Sequence, residues 1–375
     1  MKHTLLVTER CNLACDYCYV GQQPSRMPLA VAKRIVDFAF QGTPASEKIE
    51  IGFFGGEPLL ELGVIRDVVS LIEAEPAFDP ERVLLTIVTN GTIFSPEIVG
   101  FLADHGIALG ISCDGPPEVH DLHRRFHGGG PTAHQVARNI RRFLEAGTAV
   151  MVNAVYGPDT LHQLPRTVDH LARLGVRQIY LSPDFSARWL TAHLEALPDV
   201  YSAVGAVYTG YALQGDRRFV SLIDGKIAVI LRQGYQVMER CRMGRGEFAF
   251  TPQGTIYPCE RLVAANGGEH RIGDVFKGVD VERLLCHRVP GEALNRECHA
   301  CGLRDYCMNW CGCSNFFASG FYNRVSPFLC ASEKASIRVA FEVFQELEAA
   351  GVTFYDHLGG MPAANSLRRQ GSDGP

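Results

Sequence analysis

The sequence predicts an α/β protein, built as a partial (β/α)6 TIM-like barrel with a cysteine-rich domain at its C-terminal end. Short apolar runs alternate with longer amphipathic stretches, and cysteines and glycines become frequent between Cys241 and Cys330. Alternating strand and helix patterns favour parallel strands that are connected by helices. A chain of 375 residues is long enough to bury the cores of a large domain and a smaller one.

Six apolar runs predict the strands, and amphipathic segments with apolar residues at i, i+3 and i+4 predict the helices between them. The predicted strands are His3–Thr8, Ile49–Phe54, Val83–Val88, Ile107–Ser112, Ala149–Val155 and Gln178–Ser182. The predicted helices are Leu29–Phe40, Leu59–Ala74, Pro96–His105, Ala133–Ala146 and Leu161–Leu174. Active sites of such barrels lie at the carboxyl ends of the strands.

The alternating pattern changes around residues 214–218, which suggests a boundary between domains. A C-terminal stretch rich in Gly, Pro, Ser and Asn predicts disorder. The predicted divisions are the barrel (1–215), a connecting segment (216–235), the cysteine-rich domain (236–335), a C-terminal helix (336–358, with a helical pattern already over Ala331–Ala350) and a disordered tail (359–375).

Composition excludes several classes of partner. The net charge is −5, and no basic block or repeated pattern of basic and aromatic residues indicates binding to nucleic acid or to an anionic membrane. The chain enters a strand without a signal-peptide pattern, and its most apolar later segment, Val200–Leu213, is too short and interrupted to span a bilayer. We therefore expect a cytoplasmic protein whose 13 cysteines serve mainly as metal ligands.

Three cysteines follow the first predicted strand. Cys11, Cys15 and Cys18 form a CxxxCxxC pattern with an aromatic residue, Tyr17, before the last cysteine. Iron–sulfur clusters and structural zinc sites usually take four protein ligands, so three soft donors in one loop indicate a metal centre with an open position. The alternative is a zinc or disulfide loop.

This loop resembles the CxxxCxΦC loop of the radical S-adenosylmethionine (SAM) enzymes. The resemblance implies a [4Fe–4S] cluster on Cys11, Cys15 and Cys18, with SAM as the ligand of the fourth iron. In that family the reduced cluster cleaves SAM to a 5′-deoxyadenosyl radical, which abstracts an unactivated hydrogen. The protein then contributes position, electrons and exclusion of water.

Polar residues at the ends of later strands are the candidate contacts to SAM. The run Gly55, Gly56, Glu57 and Pro58 resembles the family's GGEP motif, in which glycines allow close backbone approach and the carboxylate accepts from an ammonium. The alternative for each residue is turn or helix-capping chemistry. By resemblance to peptide-modifying members, further candidates are Asn90, Ser112 and Asp114 (with Arg124 nearby), and strand position adds Asn153.

A second cysteine set matches the spacing CX9–15GX4C…CX2CX5CX3C…C of the SPASM extension of radical SAM proteins. The resemblance implies two auxiliary [4Fe–4S] clusters and hence three clusters in all. The outer cluster would be held by Cys298, Cys301, Cys307 and Cys330, and the inner one by Cys241, Cys259 and Cys311. The alternative is a zinc ribbon, which uses similar cysteine pairs.

The fourth ligand of the inner cluster stays open at this point. Anaerobic sulfatase-maturating relatives carry an additional cysteine shortly after the position of Cys241, and residues 242–248 contain none. The inner cluster therefore has an open iron for a substrate thiolate or heteroatom, or it recruits Cys313 or Glu247. Cys113 and Cys286 fall outside the pattern and are predicted to be small buried apolar residues.

Glu260 is the candidate catalytic base. It follows Cys259 at the place where sulfatase-maturating relatives have an aspartate that deprotonates the substrate side chain. A carboxylate close to a sulfonium and to iron clusters can act as a general base. The alternative is a surface carboxylate that is paired with Arg261.

The resemblance implies a maturase that oxidises or crosslinks a side chain of a ribosomally made peptide. The expected partners are a peptide or protein substrate and a reductant such as flavodoxin or ferredoxin. Because the chain starts at the first barrel strand, we expect direct capture of the peptide or a separate leader-recognition protein.

Three other functions stay open. The first is an anaerobic sulfatase maturase, which Phe54 and Glu260 disfavour because that group has Gln and Asp there. The second is a radical SAM dehydrogenase of small molecules. The third is a non-enzymatic zinc or iron–sulfur module, which leaves the GGEP run unexplained.

Overall fold

A computed structural model describes residues 1–236, 239–263, 268–287 and 295–352. The predicted tail (359–375) lies outside these residues, and the prediction for Cys286 concerns a side chain that the structure does not describe. The strands are β1 (Lys2–Thr8), β2 (Ile49–Gly55), β3 (Val83–Thr89), β4 (Ala108–Ser112), β5 (Val150–Tyr156), β6 (Gln178–Pro183), β7 (Phe219–Val220), β8 (Glu247–Phe250), β9 (Thr255–Tyr257), β10 (Gly273–Asp274) and β11 (Gly278–Val279). The α-helices are α1 (Leu29–Gly42), α2 (Leu62–Glu73), α3 (Pro96–Asp104), α4 (Pro117–His123), α5 (Ala133–Glu145), α6 (Leu164–Arg173), α7 (Thr191–Leu213), α8 (Ser221–Leu231), α9 (Val281–His287), α10 (Arg296–His299), α11 (Gly312–Ser319) and α12 (Pro327–Ala349).

The six predicted strands form one parallel sheet in chain order, which confirms the α/β fold. Helices connect successive strands, as parallel pairing requires. Two short strands extend this arrangement, because β7 pairs in parallel with β6 and β8 pairs in parallel with β1.

Side chains alternate between the two faces of the sheet and so separate the core from the inner face of the barrel. In β5, Val152 and Ala154 are buried in the main core against the helices. Their neighbours Met151 and Asn153 are only half-buried. The inner face therefore keeps polar groups at the carboxyl ends of the strands.

The sheet continues into the cysteine-rich region. Strand β8 lies beside β1, and β9, β10 and β11 follow it in antiparallel pairing. The predicted connecting segment, 216–235, contains β7 and α8. These pairings hold the cysteine-rich region against the barrel, and the predicted domain boundaries stay a prediction.

The C-terminal helix α12 begins earlier than predicted. The helical pattern over Ala331–Ala350 predicted this helix, and α12 runs from Pro327 to Ala349, whereas residues 353–358 of the predicted division 336–358 lie outside what the structure describes. Ser326 explains the start, because its Oγ accepts from Leu329 N at 3.1 Å and Pro327 occupies the first turn. Within the described residues, no helix combines the length and apolarity that crossing a membrane requires.

Candidate active site

The three-cysteine loop leaves β1 at the carboxyl edge of the sheet. Cys11 and Cys15 are half-buried and Cys18 is exposed, and Cys18 N donates to Cys15 O at 3.2 Å. Burial raises the pKa of Cys15 to about 11, Arg124 opposes this, and the thiols of Cys18 and Cys11 add to it. The three thiols therefore lie within electrostatic reach of one another.

Asn90 orients the cysteine loop. Its Nδ2 donates to Asn12 Oδ1 at 2.8 Å and lies 3.6 Å from Cys11 Sγ. Its Oδ1 accepts from Thr92 N at 3.0 Å. Both ends of the Asn90 amide are thus used within the protein, and its contact with SAM stays a prediction.

The GGEP turn packs on the backbone that leads into Cys11. Gly56 N donates to Thr8 O and Glu57 N donates to Arg10 O, both at 2.9 Å. A Cβ would lie 2.0 Å from Thr8 O at Gly55 and 2.2 Å from Arg10 O at Gly56. The two glycines therefore let the turn pack closely against the backbone that leads into the cysteine loop. The predicted close approach of a ligand to these glycines stays a prediction.

Glu57 is fully buried beneath this turn. Its carboxylate accepts from Leu59 N at 3.0 Å, from Thr89 Oγ1 at 2.7 Å and from Asn90 N at 2.7 Å. Burial raises the pKa of Glu57 to about 7, although the three donors act in the opposite direction. Since a carboxylate offers about four acceptor positions, about one remains for a further donor such as an ammonium.

Glu57 should make stability depend on pH. Its pKa rises from 4.5 to about 7 in the fold, so its contribution is fully present below pH 4.5 and is lost as the pH rises through 7. We expect the free energy of unfolding to fall by on the order of 3 kcal/mol across that window. Urea denaturation of the wild type and Glu57→Gln checks this, since the variant should lack this component. Parallel pH profiles of the two proteins would contradict it.

Asp114 and Arg124 anchor the aromatic residue of the cysteine loop. Tyr17 OH donates to Asp114, which also accepts from Arg124 Nε at 2.9 Å and from Val155 N at 2.9 Å. Both members of the Asp114–Arg124 ion pair are buried. Asp114 therefore ties the loop to β4 and β5, and its predicted contact with SAM stays a prediction.

Ser112 and Asn153 are brought together. They are register partners on the neighbouring strands β4 and β5, and both are half-buried. Register partners in a parallel pair point to the same face of the sheet. The two predicted SAM contacts thus share the inner face.

A cavity of about 840 Å³ separates this inner face from the cysteine-rich domain. Its walls combine barrel residues with residues of the second cysteine set, including Asn153, Ser182, Glu260, Arg261, Cys241 and Cys259. The volume lies in the range of sites that enclose small molecules or side chains.

The inner cysteines lie together on the wall of this cavity. Cys241, Cys259 and Cys311 share a cluster with Cys313, packed with apolar residues such as Leu262. Cys311 Sγ lies 3.7 Å from Cys313 Sγ. Soft thiols in a mostly buried pocket are the donors that iron–sulfur centres use.

The outer cysteines Cys298, Cys301, Cys307 and Cys330 are half-buried. Burial raises the pKa of Cys298, and the nearby thiols of Cys330 and Cys301 raise it further. In the described part of the chain, no three Cys, His, Asp or Glu side chains converge as ligands of a single metal ion. A four-iron cluster takes one thiolate on each iron, so the donor type and grouping fit, and the ligand assignments stay predictions.

Glu260 lies on the cavity wall in an ion pair. Lys2 Nζ lies 3.1 Å from its carboxylate, and Thr4 Oγ1 donates to it at 3.0 Å. Burial opposes ionisation, but Lys2, Arg261 and Thr4 outweigh it and lower the pKa of Glu260. Arg261 itself donates to Ser182 Oγ at 3.1 Å. Glu260 is thus held as a carboxylate, and its role as a base stays a prediction.

Sequence reasoning missed several residues that build the site. Lys2 and Thr4 hold Glu260, Asn12 bonds Asn90, and Thr89 bonds Glu57. Strand alternation offered one signal, since Lys2 and Thr4 lie two residues apart on β1 and so share its inner face. Cys113 is 1% exposed and packs in the core, as predicted.

The fold is a parallel α/β sheet with a three-cysteine loop after its first strand, and this combination indicates a class of enzymes that bind a cofactor at that loop. The family model of the radical SAM superfamily matches residues 5–184. This part of the chain is therefore a radical SAM domain.

Relatives extend the similarity beyond that domain. The chain is 25% identical over 347 residues to the serine-type anaerobic sulfatase-maturating enzyme of Klebsiella aerogenes, covering 85% of this chain and 82% of that one. Its fold is similar to anSMEcpe with bound AdoMet (TM-score 0.75, 18% identity, 93% of this chain and 100% of that one). It is also similar to Streptococcus suis SuiB bound to the precursor peptide SuiA (TM-score 0.60, 16% identity, 88% of this chain and 75% of that one). The chain is thus related to anaerobic sulfatase-maturating enzymes, and its fold is similar to that of SuiB.

Proposed function

We propose that this protein is a radical SAM maturase that oxidatively modifies or crosslinks a side chain of a ribosomally made peptide. The three-cysteine loop would hold the SAM cluster, and the second cysteine set would hold two auxiliary clusters. When bound, these groups supply a 5′-deoxyadenosyl radical for hydrogen abstraction and an acceptor for the remaining electron.

The observation that carries the proposal is the cavity of about 840 Å³. It connects the predicted SAM contact Asn153 with the inner cysteines Cys241 and Cys259. A side chain bound in this cavity would lie beside Asn153 and the inner cysteines.

The chain's own residues position the reaction. The GGEP backbone and Asn90 hold the cysteine loop through Arg10 O and Asn12. Glu260, on the cavity wall, would take the proton from the substrate side chain once the substrate displaces its partner Lys2. Ser112 and Asn153 would bind SAM from the inner face.

A peptide substrate is supported by the relatives. Structures of similar fold include SuiB bound to the precursor peptide SuiA and anSMEcpe bound to AdoMet and the Cp18Cys peptide. A reductant of the flavodoxin or ferredoxin type would supply the electron that starts the reaction.

Anaerobic reconstitution tests the proposal. We expect about twelve irons per chain, as three four-iron clusters require, and formation of 5′-deoxyadenosine with SAM and dithionite. Mass spectrometry of peptides encoded beside this gene should then show loss of hydrogen from one of them. Zinc without acid-labile sulfide, and unreacted SAM, would rule out the enzyme.

Sulfatase maturation is the second candidate, favoured by the similarity to the Klebsiella aerogenes enzyme along most of both chains. The same assay discriminates the two functions. A sulfatase-derived peptide should stay unmodified if the proposal holds. Formation of formylglycine in that peptide would assign the second function instead.

Cys301→Ala should separate SAM cleavage from product formation. Cys301 lies in the predicted outer set, away from the loop of Cys11, Cys15 and Cys18. We expect the variant to form 5′-deoxyadenosine within about threefold of the wild type and to lose the modified peptide, because loss of a cluster ligand costs more than the 10- to 100-fold typical of outer-shell changes. Both products are quantified by mass spectrometry. Unchanged peptide modification would contradict the assignment.

A further inference from the structure

A fourth thiol lies within the inner cysteine set. Cys313 Sγ is 3.7 Å from Cys311 Sγ, and the Cys313 thiol also interacts with Cys259. Cys241 interacts in turn with Cys311. The four side chains therefore form one connected group, although only three of them belong to the sequence pattern that identified the set.

Local structure places Cys313 in this group. Cys311 is the N-cap residue of α11, and Cys313 lies in the first turn of that helix. Its side chain is 4% exposed and packs in the same cluster as Met243 and Leu262. The helix start thus presents two thiols to the wall of the cavity, which Cys311 and Cys313 both line.

Glu247 is the competing ligand, and its surroundings disfavour it. Its Oε1 lies 3.6 Å from Cys259 Sγ and 3.8 Å from Lys2 Nζ. Lys2 also pairs with Glu260, so Glu247 belongs to a charged network at the edge of the cysteine group. A carboxylate is in addition a harder donor than a thiolate, and iron–sulfur centres select soft thiolates.

We infer that Cys313 is the fourth ligand of the inner site, which Cys241, Cys259, Cys311 and Cys313 close with four thiolates. The inference rests on the proposed function, because that function makes the site an iron–sulfur centre. Its consequence is that the inner site has no open iron for a substrate thiolate or heteroatom. A substrate in the cavity is then held by protein side chains.

The charge beside the group agrees with a closed set of thiolates. Arg261 lines the same cavity, and its guanidinium interacts with Cys313, Cys311 and Cys259. A nearby cation stabilises thiolates, which are the ligating form of cysteine. Arg261 also donates to Ser182 Oγ at 3.1 Å, which fixes the guanidinium in place.

The experiment isolates the auxiliary sites by replacing Cys11, Cys15 and Cys18 with alanine. The full chain with this background is reconstituted anaerobically with iron and sulfide, alone and with Cys313→Ala or Cys113→Ala added. Cys113 is the matched control, because it is a buried thiol outside both sets. Iron, acid-labile sulfide and the electron paramagnetic resonance (EPR) spectrum of the reduced protein are measured with and without 2-mercaptoethanol.

We expect about eight irons and a spectrum insensitive to 2-mercaptoethanol for the background and for Cys113→Ala. Cys313→Ala should lose between about one and four irons, or its spectrum should change when the added thiol binds the exposed iron. The inference fails if Cys313→Ala keeps both the iron content and a thiol-insensitive spectrum. It also fails if the background protein already responds to the thiol.

Two further measurements keep the outcomes separable. Circular dichroism reports whether Cys313→Ala folds, and if it does not, Cys313→Ser preserves the side-chain size and should shift the EPR spectrum of the inner site. An unshifted spectrum in that variant would overturn the inference. Failure of the proposed function appears elsewhere, as a wild-type protein that binds no sulfide and forms no 5′-deoxyadenosine.

Discussion

A Cys15→Ala variant is expected to form no 5′-deoxyadenosine from SAM above background. Cys15 lies in the half-buried part of the cysteine loop, between the other two predicted ligands, Cys11 and Cys18. Even changes in the outer shell of a metal site cost about 10- to 100-fold, so loss of a direct ligand should cost more than about 100-fold. The product is measured by mass spectrometry after reduction with dithionite in the presence of SAM.

The surroundings of Cys15 place a cation beside its thiol. Arg124 acts on the Cys15 thiol as a cation, opposing the effect of burial on the pKa of that thiol, and so favours the thiolate that ligates iron. Arg124 is fixed by its ion pair with Asp114, which in turn holds Tyr17 of the same loop. The thiolate position is thus set by a buried network.

Cys113→Ala serves as the control for Cys15→Ala. Cys113 is a buried thiol of the core that belongs to neither predicted ligand set, so the variant should keep 5′-deoxyadenosine formation within about twofold, because it removes only one buried sulfur atom. Equal activity of Cys15→Ala and Cys113→Ala would show that the loop does not hold the SAM cluster.

The strands were predictable because their periodicity is local. Each of β1 to β6 is a short apolar run followed by a turn, and the bounds agree to within a few residues. Strand β8 was not predictable in this way. It has only four residues, Glu247–Phe250, and it lies in a region that was interpreted from its cysteine spacing alone. Its place in the sheet comes from pairing with β1, which is distant in the chain.

The site shows the same division between local and long-range information. The motifs placed Gly56, Glu57, Asn90 and Asp114 at strand ends, where the structure has them. The residues that they contact could not be predicted from the sequence, because each contact comes from a different loop of the chain. Gly56, for example, is a glycine because Arg10 O lies where its Cβ would be.

A Lys226→Met variant is expected to lose about 3–5 kcal/mol of the free energy of unfolding. Lys226 Nζ lies 2.6 Å from Glu333 Oε2, and the two side chains are only 6% and 12% exposed. Removing the cation leaves the Glu333 carboxylate buried without its charge partner, which is among the most destabilising single changes. Urea denaturation under anaerobic conditions measures the loss.

The double variant Lys226→Met with Glu333→Gln should recover most of that loss. Glu333 also accepts from Met308 N at 2.5 Å, and Met308 directly follows the predicted outer ligand Cys307. A glutamine keeps an oxygen for Met308 N while removing the unpaired charge. The double variant should therefore be more stable than Lys226→Met alone.

A matched control lies on the same helix. Arg338 and Glu342 of α12 form an ion pair at 2.9 Å, but their side chains are 69% and 49% exposed. Water screens such a pair, so Arg338→Met should change the free energy of unfolding by less than about 1 kcal/mol. Equal losses in Lys226→Met and Arg338→Met would show that burial of the Lys226–Glu333 pair is not what stabilises this contact. A larger loss of the free energy of unfolding in Lys226→Met, together with release of about four irons, would show that the buried ion pair between α8 and α12 also stabilises the outer cysteine loop.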